Sequence, residues 1–216
     1  MAELQTDEEK VEALKAWWRE NGVAVIAGVV LGLLAVFGWR AWVAHQERVG
    51  QNAALAFEQL LERVERDAID PEVETSARAL LDQYGGTPYA MFAQLALAKA
   101  RLAQRDLAGT AAALRAASAA APHPALAEIA ALRLARVLLA QGEYEAARTL
   151  ITQHENTGAF GAEFAALRGD LAAATGRIAE ARAAWQTALA AGARADRLLE
   201  YKLRDLPVEN AAGSGG

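Results

Sequence analysis

Cysteine is absent from this chain of 216 residues, which also holds only 3 histidines, 5 prolines and 3 serines. No disulfide can form, so the fold must rest on packed apolar side chains. The absence suits an oxidising compartment managed without disulfides, and it suits the cytosol equally. His45, His123 and His154 lie far apart, and none has a partner at metal-ligand spacing, so no metal site is expected. Ser76, Ser118 and Ser214 lack a nucleophile-elbow context, and no phosphate-cradling glycine loop occurs. Acidic neighbours such as Glu143 and Glu145 read as solvated charges at a helix end. The expectation is therefore a protein without catalytic residues, cofactor or small-molecule substrate. Net charge is −5, and beyond residue 39 there are 19 bases and 21 acids, which excludes a nucleic-acid footprint. β-branched residues are scarce after residue 44 and no stretch alternates with period two, so a sheet is not expected.

Charge itself is missing from Asn21 to Trp39, a run of 19 residues. A helix of that length reaches roughly 29 Å, close to the hydrocarbon thickness of a bilayer. Trp17 and Trp18 flank it on one side and Trp39 and Trp42 on the other, where indole rings favour headgroups and Arg40 can snorkel. A cleaved signal would want a basic leader and small residues at its exit. Here six acids outnumber three bases before the run, and the exit Phe37-Gly-Trp-Arg-Ala-Trp42 is bulky, which favours a retained anchor. Lys10, Lys15 and Arg19 before the span against Arg40 and Arg48 after it favour a cytoplasmic N-terminus by a narrow count. Gly28 and Gly32 form a small-xxx-small pair, which reads equally as a helix-packing face or as ordinary membrane-helix glycine.

Before the span, Thr6-Asp-Glu-Glu9 is a capping-box start. Val11, Leu14, Trp17 and Trp18 follow on one helical face, which reads more readily as an interfacial helix than as a docking segment for a cytoplasmic partner. Asn21-Gly22 is expected to end or bend that helix.

After the span, Ala, Leu, Arg, Glu and Gln dominate, all strong helix formers. Breaks are expected at Asp70-Pro71, Gly85-Gly86, Pro122-His-Pro124, Gly142, Gly158–Gly161, Gly176 and Gly192. The segments repeat. Leu134-Ala135, Leu138, Gly142, Tyr144, Ala147 and Ile151 recur 34 residues later as Arg168-Gly169, Ala172, Gly176, Ile178, Ala181 and Trp185, the tetratricopeptide period. A looser copy lies 37 residues earlier, at Leu97-Ala98, Arg101, Arg105, Leu107, Thr110 and Leu114. Small residues (Ala135, Gly169, Ala147, Ala181) let helices approach, and bulky ones (Tyr144, Ile151, Ile178, Trp185) fill between hairpins. Residues 53–84 should add a degenerate first hairpin, and Ala193–Leu206 should cap the last. With no Gly/Pro/Ser linker, Trp42 to Arg66 can continue the span as one stiff helix whose weak point is Gly50.

The expected fold is all-α: one N-terminal transmembrane helix, then a tetratricopeptide-like solenoid of helical hairpins. The divisions are an arm at 1–20, a span at 21–42, repeats at 43–206 and a disordered tail at 207–216. Stacked hairpins present a concave face lined by the first helix of each repeat. One side of those helices carries Phe92, Leu95, Lys99, Leu132, Arg136 and Asp170, the candidate partner-binding residues. Phe92, Leu95 and Leu132 read more readily as core; Lys99, Arg136 and Asp170 resist burial and are the better groove candidates.

Val11-Glu-Ala-Leu-Lys15, Glu20-Asn-Gly22, Gly28-Val-Val-Leu-Gly32 and Gly38-Trp-Arg-Ala-Trp42 with His45-Gln46 together resemble the YfgM family, the ancillary subunit of the bacterial SecYEG translocon. Leu132-Arg-Leu-Ala-Arg136, Leu167-Arg-Gly169 and Ala181-Arg-Ala-Ala-Trp185 extend the likeness over nearly the whole chain, residues 53–125 being its weakest part. The resemblance implies a Gram-negative inner-membrane protein with a cytoplasmic N-terminus, one span and a periplasmic repeat domain. It implies partners: SecYEG, a PpiD-like membrane-anchored periplasmic chaperone, and newly translocated secreted or outer-membrane polypeptides. It brings no catalytic residues. It also implies an alternative role, in which the cytoplasmic arm restrains a stress-response regulator.

Overall fold

The structure, a computed structural model, describes residues 7–154, 159–193 and 196–207. It is helical, with no strand among the described residues: α1 Asp7–Arg66, α2 Pro71–Tyr84, α3 Tyr89–Ala103, α4 Leu107–Ala119, α5 Pro124–Gln141, α6 Tyr144–His154, α7 Gly161–Ala174, α8 Ile178–Ala190 and α9 Asp196–Asp205. The chain divides into two compact units, Met1–Gln51 and Asn52–Gly216. The capping residue Thr6, the break residue Gly158 and residues 208–216 of the expected tail lie outside the described residues.

The first unit is the N-terminal length of α1. Its apolar stretch lies open: Val23 is 82% exposed, and Leu31, Leu34, Phe37 and Trp39 are each more than half exposed. A helix apolar all round with nothing against it matches a hydrocarbon solvent, and α1 is long and apolar enough to cross a membrane. Asn21-Gly22 does not end the helix, which runs on unbroken. Asn21 Nδ2 donates back to the Trp17 carbonyl at 3.0 Å. Gly22 is buried beneath the Trp18 indole, so its missing side chain admits a ring. Beside lipid, an unbroken helix also keeps every backbone group paired. Gly50, the other expected weak point, is helical as well.

The second unit stacks hairpins. The C-terminal turns of α1 pair with α2 in the first, through Leu60 and Val64 against Val73, Ala77 and Leu80. Asp70 caps α2, accepting from Glu72 N at 2.9 Å, and Arg63 pairs with Glu72 across the turn. Hairpins α3–α4, α5–α6 and α7–α8 follow, and α9 covers the end by burying Leu199 among Ala172, Ala181 and Trp185.

The three later hairpins, and the turn into α9, close in one way. In each, a residue with positive φ follows the helix: Arg105 at 61°, Gly142 at 76°, Gly176 at 75° and Gly192 at 78°. The next N–H then bonds the carbonyl five residues back: Asp106 to Arg101 at 2.9 Å, Glu143 to Leu138 at 2.9 Å, Arg177 to Ala172 at 2.8 Å, Ala193 to Ala188 at 3.0 Å. This is the Schellman closure, which satisfies carbonyls the helix end leaves open. The α3–α4 turn, Gln104-Arg105-Asp106, was not among the expected breaks because it has neither Gly nor Pro. The repeat register does place Arg105 opposite Gly142.

Small and large residues interlock between the helices. Ala135, Ala147 and Ala181 are fully buried, and Gly169 leaves room for the indole of Trp185, itself 4% exposed. Trp185 Nε1 donates to Asp170 Oδ1 at 2.9 Å and to the Ala166 carbonyl at 3.1 Å. Lys202 Nζ of α9 donates to the same Asp170 oxygen at 2.6 Å and lies 5.5 Å from the Trp185 ring centroid. Asp170 was expected in the groove. It instead ties α7, α8 and α9 together, because its carboxylate accepts from an indole N–H and pairs with an ammonium.

At the other end, Arg101 clamps three elements. Its guanidinium donates to Glu74 Oε1 on α2 and to the Gly109 carbonyl on α4, each at 3.1 Å. The hydrogen bond from Arg101, aided by the charge of Arg78, holds the Glu74 carboxyl below its ordinary value of 4.5.

Three outcomes follow from these contacts. Arg105→Gly should stabilise the repeats by about 1 kcal/mol, and Gly142→Ala should cost about as much, read as opposite shifts in melting temperature. Asp170→Ala should cost about 1–3 kcal/mol, with Asp170→Asn costing less because its oxygen still accepts from the indole. Glu74 titrates lower in the folded chain, so its contribution is complete above pH 4.5 and is lost as pH falls through the lowered value. Glu74→Gln should therefore lower the melting temperature at pH 7 and leave it nearly unchanged at the acid end of a pH series.

Candidate peptide-binding groove

Along α3, one stripe at helical spacing carries Phe92, Leu95, Lys99 and Leu102. Phe92 stands at its N-terminal end in a group of half-buried rings, with centroids 5.6 Å from Phe57 and 6.5 Å from Tyr89. Further along, Leu95, Lys99 and Leu102 face α5 across a cavity of about 410 Å³. Ala98 completes the α3 wall, Thr110 and Leu114 of α4 contribute the floor, and Arg133, Arg136 and Val137 of α5 form the far wall.

The floor is apolar and its one hydroxyl is spoken for. Leu114 is 2% exposed, and Thr110 Oγ1 donates to the Asp106 carbonyl at 2.6 Å. The rim is cationic: Lys99, Arg133 and Arg136 are exposed, and no acidic residue among the described ones lines the cavity. None of the three is in an ion pair among the described residues. An apolar floor beneath unneutralised donors suits a ligand with both apolar surface and negative charge.

The sequence-derived candidates divide. Leu95, Lys99 and Arg136 meet at this cavity. Phe92 lies next to it on the α3 stripe, within the aromatic group. Leu132 is 7% exposed and packs with Ala131, Ala135, Phe164 and Leu171, so it belongs to the core. Asp170 serves the closure of the last repeat. Sequence reasoning passed over Arg133 and Leu102. Stepping four residues back from Arg136 lands on buried Leu132, whereas stepping three lands on exposed Arg133; extending the α3 stripe by three from Lys99 finds Leu102.

The histidines have separate tasks. Nδ1 of His123 accepts from Ala125 N at 3.2 Å and caps α5, with Pro124 in the first turn. His154 stacks on Phe164, centroids 5.1 Å apart. His45 is exposed on α1.

Residues 15–208 match the tetratricopeptide repeat-like domain family. A protein of Haemophilus influenzae named ancillary SecYEG translocon subunit is 30% identical over 95% of this chain and 100% of its own length. The Escherichia coli protein of that name is 30% identical over 94% of this chain and 98% of its own length. No solved structure matches. The matches take in both the apolar length of α1 and the stacked hairpins, and the chain belongs to the tetratricopeptide repeat-like family of ancillary SecYEG translocon subunits.

Proposed function

We propose that this protein is a non-catalytic adaptor of the bacterial Sec translocon, anchored in the inner membrane by one span. In this reading residues 1–20 are a cytoplasmic arm, 21–42 cross the bilayer, 43–206 form a periplasmic repeat domain and 207–216 are a tail. The repeat domain contacts translocon subunits and a PpiD-like periplasmic chaperone, and it receives newly translocated secreted or outer-membrane polypeptides. The observation that carries the reading is similarity to translocon subunits over nearly the whole chain, including an exposed apolar helix, on a chain whose repeats hold an open cavity.

The physical argument is one of division. The exposed apolar length of α1 is stable only in lipid, which fixes the protein at a membrane. Solenoid hairpins bury their small and large residues against each other and leave a lined face for partners. Such a face needs shape and charge complementarity rather than reactive groups.

Photo-cross-linkers placed singly at Lys99, Arg133 and Arg136 in native membranes should give adducts with translocon subunits, the PpiD-like chaperone or nascent secreted chains. A cross-linker at Gln186, exposed on α8, should give far fewer. Silence at all three sites, with adducts forming instead between Lys15 and a cytoplasmic regulator, would transfer the role to the arm.

A further inference from the structure

Resting on the reading of this face as a binding surface, we propose that the cavity between α3, α4 and α5 selects short acidic–apolar peptide segments. One leucine- or phenylalanine-sized side chain sits on the floor, and carboxylates on its flanks meet Lys99 on one wall and Arg133 and Arg136 on the other.

Four observations converge. The cavity, about 410 Å³, has the size of a site for a few side chains and is too small to seat a folded domain. Its floor, from Thr110 and Leu114 between the apolar wall residues Ala98 and Val137, is apolar apart from the Thr110 hydroxyl, which is already committed to Asp106, so specificity must come from the rim. The rim is donor-only, since ammonium and guanidinium groups accept nothing, and Arg forks match carboxylates in two-point contact. Finally, the cations are a local exception: the whole chain carries −5, so three cations without an ion pair among the described residues, gathered around one apolar cavity, are not part of a general basic surface. Cations on opposite walls also set an order on the ligand, with acid on both sides of the apolar residue. A basic segment would be repelled from the same rim.

Full-length protein in detergent micelles would be titrated with a fluorescein-labelled hexapeptide of alternating leucine and glutamate, and with versions carrying glutamine or lysine for glutamate. The glutamate peptide should bind about tenfold more tightly than the glutamine one, an advantage that shrinks as salt is added. Arg133→Gln with Arg136→Gln should remove that advantage while leaving the melting temperature unchanged, both side chains being exposed. Arg133→Glu with Arg136→Glu should turn the preference toward the lysine peptide. Equal binding of the glutamate and glutamine peptides, or unchanged selectivity in the double variants, overturns the proposal. So does displacement of the peptide by phosphatidylglycerol vesicles with the same dependence on Arg133 and Arg136, which would assign the cavity to lipid headgroups. If the translocon cross-links persist while the glutamate peptide shows no preference, the adaptor reading stands and only the ligand class falls. If peptide selectivity holds while the cross-links vanish, the reverse is true.

Discussion

A backbone closure repeated along the second unit sets the conditions for everything else there. Each of the later hairpins reverses through one residue in the left-handed region, followed by an N–H bonded to the carbonyl five residues back. That pair of constraints fixes where the next helix starts, and so which of its residues face back. Ala147 and Ala181 arrive at their buried positions because Glu143 and Arg177 are held to the preceding helix. The cavity rests on the same device. Its floor residues Thr110 and Leu114 are placed by the Arg105 turn, and Asp106, just after it, both caps α4 and receives the Thr110 hydroxyl.

The turn and packing positions were largely legible in the sequence. Glycines 34 residues apart at 142 and 176 marked the reversals, and Gly169 and Trp185 were legible as a small and a bulky packing position, though not that the indole fills the space at Gly169 within its own hairpin. The α3–α4 turn was legible in register and illegible in chemistry, since Arg105 accepts a conformation normally left to glycine. Asn21-Gly22 misled because turn propensity assumes water nearby. Asn21 finds a carbonyl within its own helix, and Gly22 finds an indole to cover it.

The groove was harder to read, for two different reasons. Helical periodicity gives faces only to within a residue, and that residue separates buried Leu132 from exposed Arg133. Asp170 failed at longer range. Its partners are Trp185, 15 residues on, and Lys202, 32 residues on, and no local pattern shows that two donors will converge on one carboxylate. A polar residue on a first helix is as readily claimed by the next repeat as by a ligand. Where no ion-pair partner stands among the described residues, as at Lys99, Arg133 and Arg136, the charge stays available.

Trp185 carries a consequence of another kind. Four of the five tryptophans lie on α1, at positions 17, 18, 39 and 42, each half exposed or more; the fifth is enclosed by the last hairpin and α9. The two populations answer to different quenchers. A brominated lipid would dim the indoles of α1 wherever they meet acyl chains. The buried ring, beside an ammonium and a carboxylate, would keep its emission, and the wavelength of that component would follow the loosening of α9 from the end of the stack. The protein thus contains its own optical gauge of its C-terminal edge, readable in intact membranes without a label.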